Sequence, residues 1–223
     1  QAKLQNEKLE ATYRLLRTLA HEIRNPLTNI GLSLDGLLDK GLEDVKMPYV
    51  DIIKRGSKRI NDIISELLQS SKTVELKPEL VDLNVLINEV LNIAQDRIEL
   101  KNIRTEVSIL DFPVIKVLDK EKFKIAILNL VVNAIEAMDK EEGLLTIGLT
   151  KSIDQTVILI RDNGSGIPEE ELNKLFEPYF TTKKNGMGLG LVSTLNIIKS
   201  HRANIEVDSK IGVGTTFKVV FID

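Results

Sequence analysis

Apolar residues recur along the first part of the chain at steps of three and four, through Leu16, Leu19, Ile23, Leu27, Ile30, Leu34 and Leu37. That spacing belongs to a helix that buries one stripe against other helices, and the pattern runs from Leu4 to about Lys40. Gly41 opens a loop and Pro48 suits the first turn of a second helix. Val50, Ile53, Ile60, Ile64 and Leu67 supply that helix's stripe before Lys77-Pro78 ends it. The first third therefore reads as an αα-hairpin. One hairpin leaves both stripes poorly covered, so two copies are expected to pair into a four-helix bundle, making the protein a homodimer.

Beyond Pro78 the period shortens. Runs of β character fall at 104–110, 144–151, 156–161, 204–208 and 215–222, and helical patterns at 84–99, 120–139 and 189–200. The strands between 144 and 161 are separated only by a short turn, which favours a mixed sheet over a doubly wound one. The expected fold class is α+β, with a helical hairpin over residues 1–75 followed by an α/β sandwich over 76–223 and a linker at 72–82.

Composition narrows the chemistry. The 223 residues contain no Cys, which excludes disulfides and thiolate metal sites. Thirty Lys and Arg against 33 Asp and Glu leave a net charge of -3, so no global field draws the chain to nucleic acid or to anionic lipid. No apolar run approaches the roughly 18 residues of a membrane span, so this segment is expected to make no membrane contact. The chain opens on Gln1, runs straight into a helical pattern, and is expected to be the cytoplasmic portion of a longer protein that is either soluble or membrane-anchored.

His21 lies within His21-Glu22-Ile23-Arg24-Asn25-Pro26-Leu27. At about 100° per residue it falls roughly 160° from the apolar seam, beside Arg14, Thr18, Asn25 and Thr28, and so faces solvent. Such a histidine is either a plain surface residue or a nucleophile. Glu22 is placed to hold one imidazole nitrogen and leave the other unprotonated. Asn25, one turn on, presents an amide on the same face. Pro26 removes a backbone N–H and loosens the turn that follows.

The second half carries several glycine and amide clusters. Asn129, Asn133 and Glu136 share one helix face, while Phe123, Ile127, Leu130 and Ala134 take another. Neutral amide oxygens suit a Mg²⁺ that keeps waters and bridges phosphates. Asp162-Asn163-Gly164-Ser165-Gly166 follows an apolar strand; it is either a plain Asn-Gly turn or a carboxylate placed to accept from an exocyclic amine. Gly186-Met187-Gly188-Leu189-Gly190 leads into a helix and offers backbone N–H groups to a phosphate, without the Lys-Ser/Thr of a P-loop. Between them lies Phe176 to Lys184, of lid length, with Phe180, Lys183 and Lys184. Gly214-Thr215 opens the last strand.

Taken in order, these motifs resemble the sensor histidine kinases of two-component signalling, over nearly the whole chain. The resemblance implies a dimerisation and phosphotransfer hairpin followed by an ATP-binding domain of the gyrase, chaperone, kinase and mismatch-repair superfamily. It implies that His21 accepts the phosphoryl group, that Glu22 assists it and that Asn25 positions water for dephosphorylation. It further implies that Asn133 binds Mg²⁺ with Asn129 in support. Asp162, Gly164 and Gly166 would then meet adenine, Phe176 and Phe180 would belong to the lid, Gly186, Gly188 and Gly190 would surround the phosphates, and Thr215 would lie near the base. ATP and Mg²⁺ are the implied cofactors, and the receiver domain of a response regulator is the implied partner. Two departures stand out. Glu136 occupies a position where some relatives carry Lys or Arg, leaving phosphate charge to Lys183 or Lys184. Arg202-Ala203 follows His201 where many relatives have Gly-Gly, and His201 itself reads as structural.

Two other functions compete. A gyrase-type ATPase needs a carboxylate to activate water, yet Asn129 stands at that position, and an amide is a poor base. A nucleotide-binding dimerisation module without catalysis is the third possibility.

Overall fold

The computed structural model describes residues 23–36, 49–57, 60, 76–139, 142–178, 180–181 and 188–222. The chain divides into two compact units, Gln1–Lys72 with Pro178–Leu189, and Thr73–Glu177 with Gly190–Asp223.

In the first unit residues 23–36 (α1) and 49–57 (α2) are helical. The two helices meet through small residues: a side chain at Gly36 would strike the Tyr49 ring at 2.8 Å, and one at Gly56 would strike Ile30 Cγ1 at 2.9 Å. Pro26 and Ser33 are buried, and Ser33 returns its hydroxyl to the Asn29 carbonyl at 2.7 Å. Leu27, Leu32 and Leu34 remain 52%, 64% and 47% exposed. Two of these, Leu27 and Leu34, belong to the seam read from the sequence, so within one chain that seam is only partly covered.

The second unit contains β1 (Glu79–Asp82), α3 (Leu83–Leu100), β2 (Arg104–Ser108), β3 (Ile115–Leu118), α4 (Lys120–Ala137), β4 (Leu144–Lys151), β5 (Gln155–Asp162), α5 (Glu169–Leu172), α6 (Gly190–Ser200), β6 (Ala203–Lys210) and β7 (Gly214–Ile222). Five strands form a sheet in the order β2-β4-β5-β7-β6, with β2 parallel to β4 and the other pairs antiparallel. The sheet is mixed, as expected from the short β4–β5 turn. β1 and β3 form a separate antiparallel pair, with Leu80 opposite Val117.

Alternation decides what the sheet buries. In β4 the buried residues are Leu145, Ile147 and Leu149; in β5 they are Thr156, Ile158, Ile160 and Asp162; in β7 the alternate set is Thr215, Phe217, Val219 and Phe221. Helices α3 and α4 supply Leu86, Val90, Phe123, Ile127, Leu130 and Val131 to the same core. Asp162 and Thr215 thus take core-facing positions at the ends of two adjacent strands.

α4 is anchored at its start. Asp119 caps it by accepting from Lys122 N at 3.1 Å, and its second oxygen accepts from Lys77 N at 2.9 Å. Burial alone would raise this carboxyl; the two amides and the Lys122 ammonium outweigh burial and hold it below the ordinary carboxylate value. Its stabilising contribution is present above pH of about 4 and is lost as pH falls through the lower folded value. His201, the residue after α6, accepts from Asp119 N through Nε2 at 3.0 Å and donates from Nδ1 to the Ile197 carbonyl at 2.7 Å. Those partners fix a neutral imidazole, set edge-on to Phe123 at 5.4 Å. The histidine is structural, as its sequence setting suggested. His201→Ala is expected to cost about 2–3 kcal/mol in chemical denaturation, by orphaning the Asp119 N–H and opening a gap beside Phe123.

Arg202 then turns the chain into β6 with φ +58°. A non-glycine residue in the left-handed region costs roughly 1 kcal/mol, so Arg202→Gly is expected to raise stability by about 0.5–1 kcal/mol in the same assay.

Candidate functional site

The site residues on β5, β7 and the turn after β5 are drawn together by backbone contacts. Asp162 is 2% exposed, and its Oδ1 accepts from Gly164 N at 2.8 Å and from Thr215 N at 3.3 Å. Burial raises the carboxyl above its ordinary value, against the lowering effect of those amides. Gly164 rides on the end of α4, where any side chain would collide with the Ala137 carbonyl, and Ser165 N donates to that carbonyl at 3.1 Å. Gly166 has φ +73° and lies against the Lys210 carbonyl, so this position excludes side chains both sterically and conformationally. The β6–β7 turn returns the contact when Gly212 N donates to Ser165 O at 2.7 Å.

A second group lies on α4 and α6. Asn129 and Asn133 are half-buried, one turn apart on α4. Asn129 Nδ2 donates to Thr194 Oγ1 on α6 at 2.8 Å, and a side chain at Gly190 would sit 3.2 Å from both atoms of the Asn129 amide. Asn129 therefore ties the two helices and sets where α6 begins. Gly188 precedes that start with φ +68°. Phe176 packs partly buried against the core, Phe180 is half-buried, and Glu136 is exposed.

In the other unit Asn25 and Thr28 are exposed on α1, the face computed for them from the sequence, and Thr28 returns its hydroxyl to the Arg24 carbonyl at 2.9 Å. His21, Glu22, Lys183, Lys184 and Gly186 lie outside the described residues.

Three residues given no role in the sequence reading hold the site: Ser209 and Lys101, outside the motifs, and Asn163, inside one. Ser209 Oγ accepts from Ile167 N at 2.8 Å and contacts the Gly214 carbonyl at 3.1 Å and Thr215 Oγ1 at 2.9 Å. Asn163 turns away from Asp162, donating to the Glu142 carbonyl at 2.8 Å and accepting from Leu144 N at 2.9 Å, which secures the entry to β4. Lys101 Nζ reaches the carbonyls of Ile135 and Met138 at 3.2 Å each and Asp139 Oδ1 at 3.0 Å, so a cation closes the C-terminal end of α4. Its position, in the turn after α3, gives no local signal of that reach.

A buried acceptor carboxylate at a strand end can take a hydrogen bond from the amine of a base, and a glycine-led helix start offers backbone N–H groups that suit phosphate. Comparisons with known proteins identify the family. Residues 118–223 match the histidine kinase-, DNA gyrase B- and HSP90-like ATPase family, and residues 11–75 match the His Kinase A (phospho-acceptor) domain. Sporulation kinase C of Bacillus subtilis is 34% identical over 97% of this chain and 50% of its own length. Sensor histidine kinase ZraS of Escherichia coli is 35% identical over 95% of this chain and 45% of its own. Among solved structures, histidine kinase ThkA in complex with response regulator protein TrrA aligns with a TM-score of 0.78 and 30% identity, covering 97% of this chain and 63% of that one. The chain belongs to the sensor histidine kinase family. It spans half or less of the length of these curated relatives.

Among the described residues no helix is long and apolar enough to cross a membrane, and no three His, Cys, Asp or Glu side chains gather as a metal site.

Proposed function

We propose that this chain is the kinase core of a two-component sensor: residues 76–223 bind ATP, and the γ-phosphoryl group passes to His21 in the hairpin of residues 1–75. The observation that carries this reading is Asp162, a buried carboxylate whose Oδ1 is held by two backbone amides at the end of β5. That is the placement an adenine amine requires, and it occurs in a chain whose N-terminal part matches a phospho-acceptor domain.

The chain's own groups divide the work. Asp162 and Thr215 meet the base, Gly164 and Gly166 let backbone approach it, and Phe180 and Lys183 belong to the covering segment. Backbone N–H groups from Gly186 to Gly190 face the phosphates. Asn133 offers an amide oxygen to Mg²⁺, with Asn129 holding α6 in place. Without a carboxylate cage among the described residues, the cation fits as an ion brought in on the phosphates, where it would neutralise their charge. An imidazole nitrogen of His21 attacks the γ-phosphorus as the bond to the ADP oxygen breaks, and Glu22 orients the ring and takes charge of its proton. The phosphoramidate then serves as donor to an aspartate on the receiver domain of a response regulator, and Asn25 places water for the reverse task of dephosphorylation. Exposed Leu27, Leu32 and Leu34 on α1 are covered by a second copy, making the chain a homodimer.

Asn129 argues against a hydrolytic ATPase. An amide bonded to Thr194 cannot take a proton from water. The test is incubation of the full chain with Mg²⁺ and ATP labelled at either the γ or the α position. Label from γ alone is expected on the protein. Release of free phosphate with no labelled protein would overturn the proposal.

A further inference from the structure

Ser209 has one hydroxyl proton and three neighbours. Ile167 N–H donates to its oxygen at 2.8 Å, the Gly214 carbonyl at 3.1 Å can only accept, and Thr215 Oγ1 at 2.9 Å can do either. One arrangement satisfies all three. Ser209 donates to Gly214, Thr215 donates to Ser209, and the Ser209 oxygen accepts twice. Were Ser209 to donate to Thr215 instead, the Gly214 carbonyl would lose its hydroxyl partner. Thr215 is 4% exposed, so bulk water does not compete to reorient it.

The consequence falls on Thr215. With its proton held by Ser209, Thr215 Oγ1 presents lone pairs only. It lies beside Asp162, since Thr215 N–H bonds Asp162 Oδ1 at 3.3 Å and both side chains take the core face of adjacent strands. Two acceptors then meet the same edge of a bound base. We infer that Ser209 is a positioning residue for base selection: by fixing Thr215 as an acceptor, it favours a purine with a 6-amino group over one with a 6-keto group. This rests on the reading of Asp162 as the base contact. A 6-amino group brings two hydrogens to two acceptors, whereas a 6-keto oxygen brings lone pairs against lone pairs and leaves buried polar atoms unpaired.

The test is calorimetric titration of the full chain with Mg²⁺-ATP and with Mg²⁺-inosine triphosphate, which differs at this edge of the base. The wild-type chain is expected to prefer ATP. Ser209→Ala frees the Thr215 hydroxyl to rotate and donate, and should lower the ATP-to-inosine-triphosphate affinity ratio by about ten-fold. Ser209→Thr, which keeps a hydroxyl on the strand, should restore the ratio. Thr215→Val should lower it comparably while leaving the Ser209 bonds to Ile167 and Gly214 in place, and adding Ser209→Ala to that variant should change the ratio no further. Equal weakening of both nucleotides in Ser209→Ala, with the ratio kept, would show that Ser209 only supports the turn and would overturn the inference. Should Ser209→Ala fail to fold, an unchanged ratio in Thr215→Val overturns it equally. A wild-type chain that binds neither nucleotide, or shows no preference, overturns instead the assignment of Asp162 to the base, a result distinct from a preference that survives the loss of Ser209.

Discussion

His21→Gln is expected to abolish labelling of the chain by γ-labelled ATP while leaving its ATP affinity within about two-fold of wild type. The glutamine side chain retains polar atoms of comparable reach but has no nucleophilic nitrogen, because its amide lone pair is delocalised into the carbonyl. If the imidazole acts only in the chemical step, binding and chemistry separate cleanly. Calorimetry and a labelling assay on the same preparation read the two quantities. Label retained on the variant would mean that another group is the acceptor, and a matching fall in ATP affinity would mean that His21 serves the pocket instead.

The second large effect is the converse. Asp162→Asn is expected to weaken ATP binding about 100-fold, since it replaces an acceptor-only carboxylate with an amide whose N–H₂ opposes the adenine amine. The fold should not suffer. The asparagine oxygen can keep the bonds from Gly164 N and Thr215 N, and the change removes a charge whose burial is unfavourable. The folded carboxyl sits above its ordinary value, so the folded state holds that proton more tightly than the unfolded chain does. Its contribution is most favourable at low pH and falls as pH rises through the ordinary carboxylate value toward the raised folded one. At neutral pH the variant should therefore melt at the wild-type temperature or higher. A lower melting temperature with ATP affinity preserved would make Asp162 a structural residue and remove the main support for the site.

Much of this architecture is legible in the sequence pattern, and the exceptions have physical reasons. β4, β5, β6 and β7 announce themselves as short runs rich in β-branched and apolar residues between turn signals. In β5 the apolar run Val157-Ile158-Leu159-Ile160 is continuous, so the sequence does not mark which face Asp162 takes; the fold puts it on the face that buries Ile158 and Ile160. β1 and β3 are not legible. Each has four residues, and Leu80 and Val117 are apolar yet 76% and 64% exposed, so hydrophobicity does not report their faces. α5 is four residues long, opens on three glutamates and has no stripe to detect. Strand β2 stops at Ser108, short of the apolar Ile109-Leu110 that extended its pattern; those two residues pack against the core outside the ladder.

The site divides in the same way. Gly164 and Gly166 stand in a short motif, so their tolerance for close backbone approach could be suspected. Ser209 and Lys101 act across 42 and 34 to 38 residues of sequence, through contacts that only the folded sheet and helix ends create. Nothing in their neighbourhoods marks them. Asn163 misleads in the opposite sense: it stands inside the motif but faces away, bonded to Glu142 and Leu144.

ATP bound through Asp162 is expected to phosphorylate a histidine of the same protein. The most direct measurement is the chemical stability of the linkage after labelling the full chain with γ-labelled ATP and Mg²⁺. A phosphoramidate should release its label in acid and keep it in alkali, and the labelled peptide should be the one that contains His21. Label that survives acid, or that maps to a serine, threonine or aspartate, would contradict the account.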